Sequence, residues 1–174
     1  IVTTQDELYK AASEDATASV AAREVLSYRE ALYAGLKKMQ AQKNLLMVKT
    51  MVEIVQTIKQ NKAGIRNLPV TALKNAINGE VIYTPPCCEE GIQEKIAALE
   101  KFINDYESSS LDSLIKMTLI HYQFEAIHPF ADGNGRAGRI INALYLVQQG
   151  LLTQPVLYLS SYIVKHKTEY YQLL

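Results

Sequence analysis

The sequence is poor in cysteine, has no surplus of either charge and contains no long apolar run. Its only cysteines, Cys87 and Cys88, are adjacent. Neighbouring cysteines rarely bridge each other, which excludes a disulfide framework, and nothing near them supplies the partners of a tetrahedral metal site. A reduced, cytoplasmic setting is expected. Lys+Arg and Asp+Glu both number 18, a formal net charge of +0. That excludes a mainly electrostatic grip on nucleic acid or an anionic membrane, while leaving room for a local basic pocket. No apolar stretch reaches bilayer length, so no membrane partner is expected. No signal peptide is recognised, and because the first residue is Ile1 rather than methionine, upstream sequence is expected. Internal repeats, low-complexity segments and an evident linker are also missing.

What is present is mostly helix. In "TTQDEL", Thr4 and Glu7 have the spacing of a capping box ahead of an apolar run. Val20, Ala21, Glu24, Leu26, Tyr28, Leu32, Tyr33, Leu36 and Met39 mark a long helix over about 17–40. A second helix is expected over about 44–60, broken by Gly64, and a third from Glu89 to about Tyr106. The stretch before Pro129 carries two apolar stripes. One is Leu111, Leu114, Ile115, Thr118, Leu119 and Tyr122; the other is Met117, Ile120, Phe124 and Ile127. A helix apolar on two faces is expected in the middle of a bundle, ending near His128 because Pro129 disfavours helical geometry before it. Another helix is expected from about Asn134 to Gly150, and one or two more follow. One β element stands out: Asn78-Gly79 is a strong hairpin signal, followed by the strand-like "EVIYT" and ended by Pro85-Pro86.

Between the two helices around Pro129 lies "HPFADGNGRAGR", residues 128–139. Gly133 and Gly135 flank Asn134 where a helix begins, and glycine lets a backbone approach a ligand closely. A helix start offers unpaired N–H groups and the positive end of the dipole, a ready anion site. Arg136 and Arg139, three apart, share a face of the first turns and suit a polyphosphate. Asp132, beside that cradle, suits Mg²⁺, which takes one or two protein oxygens. His128, held at a helix end, suits a general base near neutral pH. Taken singly these residues are a C-cap, a turn, a solvated face and an N-cap. An ordinary loop has no need of all of them within twelve residues.

This stretch resembles the signature of Fic proteins, H-x-F-x-(D/E)-G-N-G-R-x-x-R, at every specified position. "FEAIHPF", "INGEVIYTPP" and "YLSSYIVKHKTEYYQLL" are similar to bacterial Fic proteins with a further N-terminal segment. The resemblance implies an all-α, Fic-type helical bundle with one small β-hairpin, the flap. It implies an N-terminal helical segment, 1–60, packing on a Fic core, 61–174. That core would hold the flap at about 72–84 and the catalytic loop at 128–139, and would be cut short at its C-terminal end.

The resemblance also implies a protein adenylyltransferase that moves AMP from ATP to a protein hydroxyl and releases pyrophosphate. His128 would take the proton, Asp132 hold Mg²⁺, and Gly133, Asn134 and Gly135 form the anion hole. Arg136 would contact the outer phosphates and Arg139 the γ-phosphate. Asn134 joins His128, Asp132, Arg136 and Arg139 in the implied catalytic set. Phe130 would anchor the loop, with His121 and Glu125 as supports. Tyr170 and Tyr171 resemble adenosine-side tyrosines, with core packing as their alternative. The flap residues Ile77, Asn78, Gly79, Glu80 and Val81 would align a target segment by main-chain pairing. The implied partner is a protein presenting a Tyr, Thr or Ser hydroxyl, the chain itself included, with nucleic acid bound only through a module outside this chain. A homodimer stays open. The (S/T)-x-x-x-E-(G/N) motif of the family's inhibitory glutamate does not occur in the chain; that glutamate is expected ahead of Ile1. Two alternatives remain at this point. One is a Fic-fold enzyme that moves another nucleotide or phosphoryl-type group or removes AMP. The other is an inactive nucleotide-sensing or protein-binding module.

Overall fold

The computed structural model describes residues 3–13, 17–62, 64–67, 73–74, 81–105 and 110–173. Among these, eight helices and two short strands follow one another: α1 (Gln5–Ala12), α2 (Val20–Ala41), α3 (Val48–Lys59), β1 (Leu73–Lys74), β2 (Val81–Tyr83), α4 (Glu89–Asn104), α5 (Ser113–Ile127), α6 (Asn134–Gln148), α7 (Leu159–Lys165) and α8 (Lys167–Leu173). The all-α expectation therefore holds. No described helix is long and apolar enough to cross a membrane.

The centre of the bundle is α6. Most of its 15 residues are buried, including Ile140, Ile141, Leu144 and Tyr145. It packs against α2, α3 and α5, while α4 lies against α5 and α3. Met51, Ile54, Val55 and Ile58 from α3, Ile92, Ile96 and Leu99 from α4, and Ile120, Phe124 and Ile127 from α5 complete the core. Asn104 and Gln148 pin the turn between α2 and α3 to the ends of α4 and α6. The Asn104 amide exchanges two 3.0 Å bonds with the Leu46 backbone, and Gln148 Nε2 donates to the Asn44 carbonyl at 2.9 Å.

The middle-of-bundle expectation for α5 is corrected. Ile120, Phe124 and Ile127 are buried, but Leu114 and Ile115 are each 55% exposed, and Leu111, Leu119 and Tyr122 are exposed beside them. Apolar side chains on two stripes describe residue types, whereas burial requires a neighbour on both sides. Among the described residues, α5 packs on α4 and α6 through one stripe, and no described element covers the other. Val20 and Tyr33, counted in the apolar stripe of α2, are exposed as well.

Helix ends differ too. Thr4 caps α1 by accepting from Glu7 N, but the Glu7 carboxylate reaches forward to Ser19 N at 2.9 Å, so only half of the capping box forms. The longer-range bond holds α1 to the start of α2. Helix α2 begins at Val20, where Ser19 caps it. Helix α3 begins at Val48 and stops at Lys59, because Gln60 takes left-handed geometry (φ 52) well before Gly64. Helix α4 stops at Asn104.

Strands β1 and β2 pair antiparallel, Leu73 with Tyr83 and Lys74 with Val81, with a register shift between the two pairs. Four of the residues named for the flap, Ile77, Asn78, Gly79 and Glu80, lie outside the described residues. Val81 is described and exposed.

Candidate active site

The loop between α5 and α6 is built from the backbone upward. His128 ends α5 in left-handed geometry, φ 49 and ψ 58, and its N–H donates to the Phe124 carbonyl. Phe130 then turns inward, 1% exposed against Phe124, as expected of an anchor. Gly133 caps α6 at φ 93, a backbone state that L side chains rarely adopt. The Asn134 side chain is buried and fully used. Its Oδ1 accepts from Phe130 N at 3.0 Å and its Nδ2 donates to Phe130 O at 2.7 Å. Asn134 thus braces the loop with its side chain and faces outward only through its backbone.

Around that brace stand the charged groups. Asp132 Oδ1 accepts from Gly133 N at 2.6 Å, and its carboxylate pairs with Lys59 from the last turn of α3. Arg136 lies 3.6 Å from Asp132 and also pairs with Glu24 of α2. The bond from Lys59, and then the Gly133 amide and Arg136, hold the Asp132 carboxyl below its ordinary range. His128 Nδ1 lies 3.3 Å from the Glu125 carbonyl. A carbonyl only accepts, so Nδ1 carries the hydrogen and Nε2 keeps its lone pair. Burial pushes the imidazole below its ordinary value of 6.5, and the nearby Arg66 pushes the same way; the Glu125 carbonyl and Asp132 oppose them. His128 is therefore neutral at neutral pH.

Arg139 does not follow Arg136. It points to a second, half-buried cluster with Tyr28, His121, Glu125 and Tyr170 around it. Tyr170 Oη lies 2.8 Å from His121 Nε2, and the Tyr170 and Tyr171 rings meet edge to face. Glu125 Oε1 and Arg139 Nε are buried without a hydrogen-bond partner among the described residues. Gly138 makes the close approach of α5 and α6 here: a Cβ at that position would stand 2.7 Å from Glu125 Oε1 and 3.2 Å from the His121 ring.

Burial leads the shifts in this cluster, and it acts in opposite senses. It pushes Glu125 up to about 7 from 4.5, with Arg139 opposing, and His121 down to about 4 from 6.5, with Arg139 assisting. For His121 the stability gained by folding is present above 6.5 and lost as pH falls toward 4. For Glu125 it is present below 4.5 and lost as pH rises through 7. The two slopes oppose each other between 4.5 and 6.5. Glu125→Gln removes one of them. The variant's stability is then expected to climb with pH across that window more steeply than wild type, by up to about 1.4 kcal/mol per pH unit. Urea melts at a series of pH values check this; parallel curves for the two proteins would mean that Glu125 titrates normally.

Three of these partners escaped the sequence reading: Lys59, Glu24 and Arg66. Glu24 left a trace, as the one carboxylate among the stripe residues of α2. Lys59 looked like an ordinary last-turn cation, and Arg66 sits alone in "GIRNLP".

The family model for Fic/DOC proteins matches residues 45–146. A protein adenylyltransferase of Caenorhabditis briggsae, fic-1, is 30% identical over 89 residues, 51% of this chain and 16% of that protein. A probable protein adenylyltransferase of Aquifex aeolicus is 51% identical over 43 residues, 25% of this chain and 13% of that protein. The matched stretch is thus a small part of the length of these relatives. Among solved structures, a Fic family protein from Desulfovibrio desulfuricans superposes with a TM-score of 0.74 at 20% identity, covering 98% of this chain and 50% of that one. A Fic domain containing signaling protein from Bacteroides thetaiotaomicron gives 0.70 at 22% identity, covering 86% of this chain and 58% of that one. Both show the fold.

Proposed function

Because the chain belongs to the Fic/DOC family, we propose that it is a protein adenylyltransferase, moving AMP from ATP to a side-chain hydroxyl of a protein. The names of the relatives support this reading. The observation that carries it is the 3.3 Å contact of His128 Nδ1 with the Glu125 carbonyl, which assigns the hydrogen to Nδ1 and leaves the Nε2 lone pair beside the start of α6.

In this reading Nε2 takes the proton of a Tyr, Thr or Ser hydroxyl. The hydroxyl oxygen forms a bond to the α-phosphorus of ATP, the bond from that phosphorus to the pyrophosphate oxygen breaks, and pyrophosphate leaves. The proton passes from His128 to solvent. The backbone N–H groups of Asn134, Gly135 and Arg136, in the first turn of α6, have no intrahelical partner and face the phosphates. Arg136 exchanges Glu24 and Asp132 for phosphate oxygens, and Arg139 turns out of its cluster with Tyr28 and Glu125 to meet the γ-phosphate. The chemistry needs little beyond placement and charge neutralisation.

Asp132 fits a metal ion. Its side chain is 61% exposed and already holds a cation, Lys59. The described residues contain no group of three or more His, Cys, Asp or Glu that could hold a metal, so phosphate and water would supply the other ligands, as magnesium accepts. When bound, Mg²⁺ neutralises phosphate charge.

Incubation with Mg²⁺ and ATP labelled at the α- or the γ-phosphate tests the reading. Protein label from α and none from γ is expected. Label from γ, or from neither, would reject AMP transfer. A second expectation concerns docking. Val81 is exposed on β2, and in this reading it meets a target strand. Val81→Lys should lower target modification and leave ATP affinity unchanged in a titration. Equal loss of both would assign β2 to the nucleotide pocket instead.

A further inference from the structure

We propose that Arg66 is a positioning residue for the transfer step, tying the end of α5, and with it His128, to the chain leaving β2. This deepens the reading above and rests on it in taking His128 as the base.

Arg66 is buried at the end of α5. Its backbone N–H donates to the Pro129 carbonyl at 2.9 Å. Its Nε donates to His128 O at 2.6 Å, and its Nη2 donates to Ile127 O at 3.3 Å and to Pro86 O at 2.7 Å. Tyr83 Oη adds a bond to Ala126 O at 2.8 Å. Four successive carbonyls, 126 to 129, are therefore satisfied by two residues outside the helix. A helix end leaves such carbonyls without intrahelical partners, and a cation there also complements the negative end of the dipole.

His128 needs this clamp more than an ordinary C-cap does. It is a non-glycine residue in left-handed geometry, which persists only where the surroundings hold it. Its carbonyl is the one on which Arg66 Nε bears at 2.6 Å. If that carbonyl swings, the imidazole swings with it and the Nδ1 bond to Glu125 O is lost. The same guanidinium holds Pro86, three residues beyond β2. One planar cation thus sets the distance between the base and the strand that would carry the target hydroxyl. Lysine, with a single nitrogen, reproduces part of this; an uncharged amide reproduces less.

The experiment uses the chain with Arg66→Gln and Arg66→Lys and reads three quantities. These are ATP affinity by calorimetry, transfer rate at saturating ATP, and the ¹⁵N shifts of the His128 ring, which report its tautomer. Arg66→Gln is expected to keep ATP affinity, lower the rate by about 100-fold as a misplaced base does, and mix the two tautomers. Arg66→Lys should recover part of the rate and of the wild-type ¹⁵N pattern. A lower melting temperature with unchanged rate and unchanged His128 shifts would overturn the proposal, leaving Arg66 a fold residue only. If Arg66→Gln does not fold, Arg66→Lys and Tyr83→Phe give the same readout at the same junction; wild-type His128 shifts in both would equally overturn it. The shifts are independent of activity, so full transfer by His128→Ala would remove the base reading without deciding the role of Arg66.

Discussion

His128→Ala is expected to bind ATP nearly as wild type does and, in the proposed reaction, to transfer AMP about 10²–10⁴ times more slowly, the usual contribution of a positioned base. The reason lies in what the ring touches. Its Nδ1 bond runs to the carbonyl of Glu125, one turn back on its own helix, and in the proposed reaction its Nε2 lone pair takes the proton. Removing the ring leaves α6, with its N–H groups and Arg136, in place. The phosphate contacts survive and the proton acceptor does not. Nucleotide affinity and labelling rate, measured side by side, check the split; labelling at the wild-type rate would take the base role from His128. The pH profile of the wild-type chain follows from the same site. Burial pushes the imidazole below 6.5, so the acid limb of kcat/KM should fall below that value, with full activity at neutral pH.

Asp132→Ala is expected to lower turnover by about 100-fold or more, since a metal at the phosphates supplies several kcal/mol of charge stabilisation. Stability should barely change. The carboxylate is largely exposed, and its pairs with Lys59 and Arg136 are of the surface kind, worth about 0–1 kcal/mol. Asp132 does not cap α6; Gly133 does. A melting curve and an activity assay on one preparation separate the two possibilities. A large fall in melting temperature with normal turnover would mean that Asp132 serves the fold. Raising Mg²⁺ adds a further handle, because Lys59 competes for the same oxygens. Lys59→Met should lower the Mg²⁺ concentration at half activity if the ammonium and the metal exchange there.

Much of this site was legible before any coordinates. His128, Asp132, Gly133, Gly135 and Arg136 span one turn from the end of α5 into the first turn of α6, and a tight turn keeps them together. The inward turn of Phe130 was implied by the resemblance to the Fic motif, and the structure buries the ring against Phe124. Less legible was the division of labour inside the motif. Arg136 and Arg139 were expected on one face, yet they serve different neighbourhoods. Arg136 meets Glu24 and Asp132, while Arg139 turns toward Tyr28, Glu125 and Tyr170. A spacing of three residues sets the angle between two Cβ atoms and says nothing about which helix stands opposite each. Asn134 had the same ambiguity: its composition and place suit an anion hole, and its side chain turned out to be the pin that folds the loop onto Phe130.

Local chemistry by itself determined the helical class, the turn after Ile127, the start of α6 and the cluster of charged and flexible residues between them. These depend on contacts a few residues apart, and such contacts are written in the order of the side chains. Tertiary structure alone decided which stripe of α5 meets the core, that Glu7 reaches Ser19, and that Glu24, Lys59 and Arg66 arrive at the loop around Pro129 from other elements. Arg66 comes from 62 residues away, and Glu24 from 112. Over such separations no periodicity or spacing links one residue to its partner. They meet because α2, α3 and α5 each bury an apolar face against α6, and that packing brings Glu24, Lys59 and the chain after α3 that holds Arg66 to the same end of the bundle.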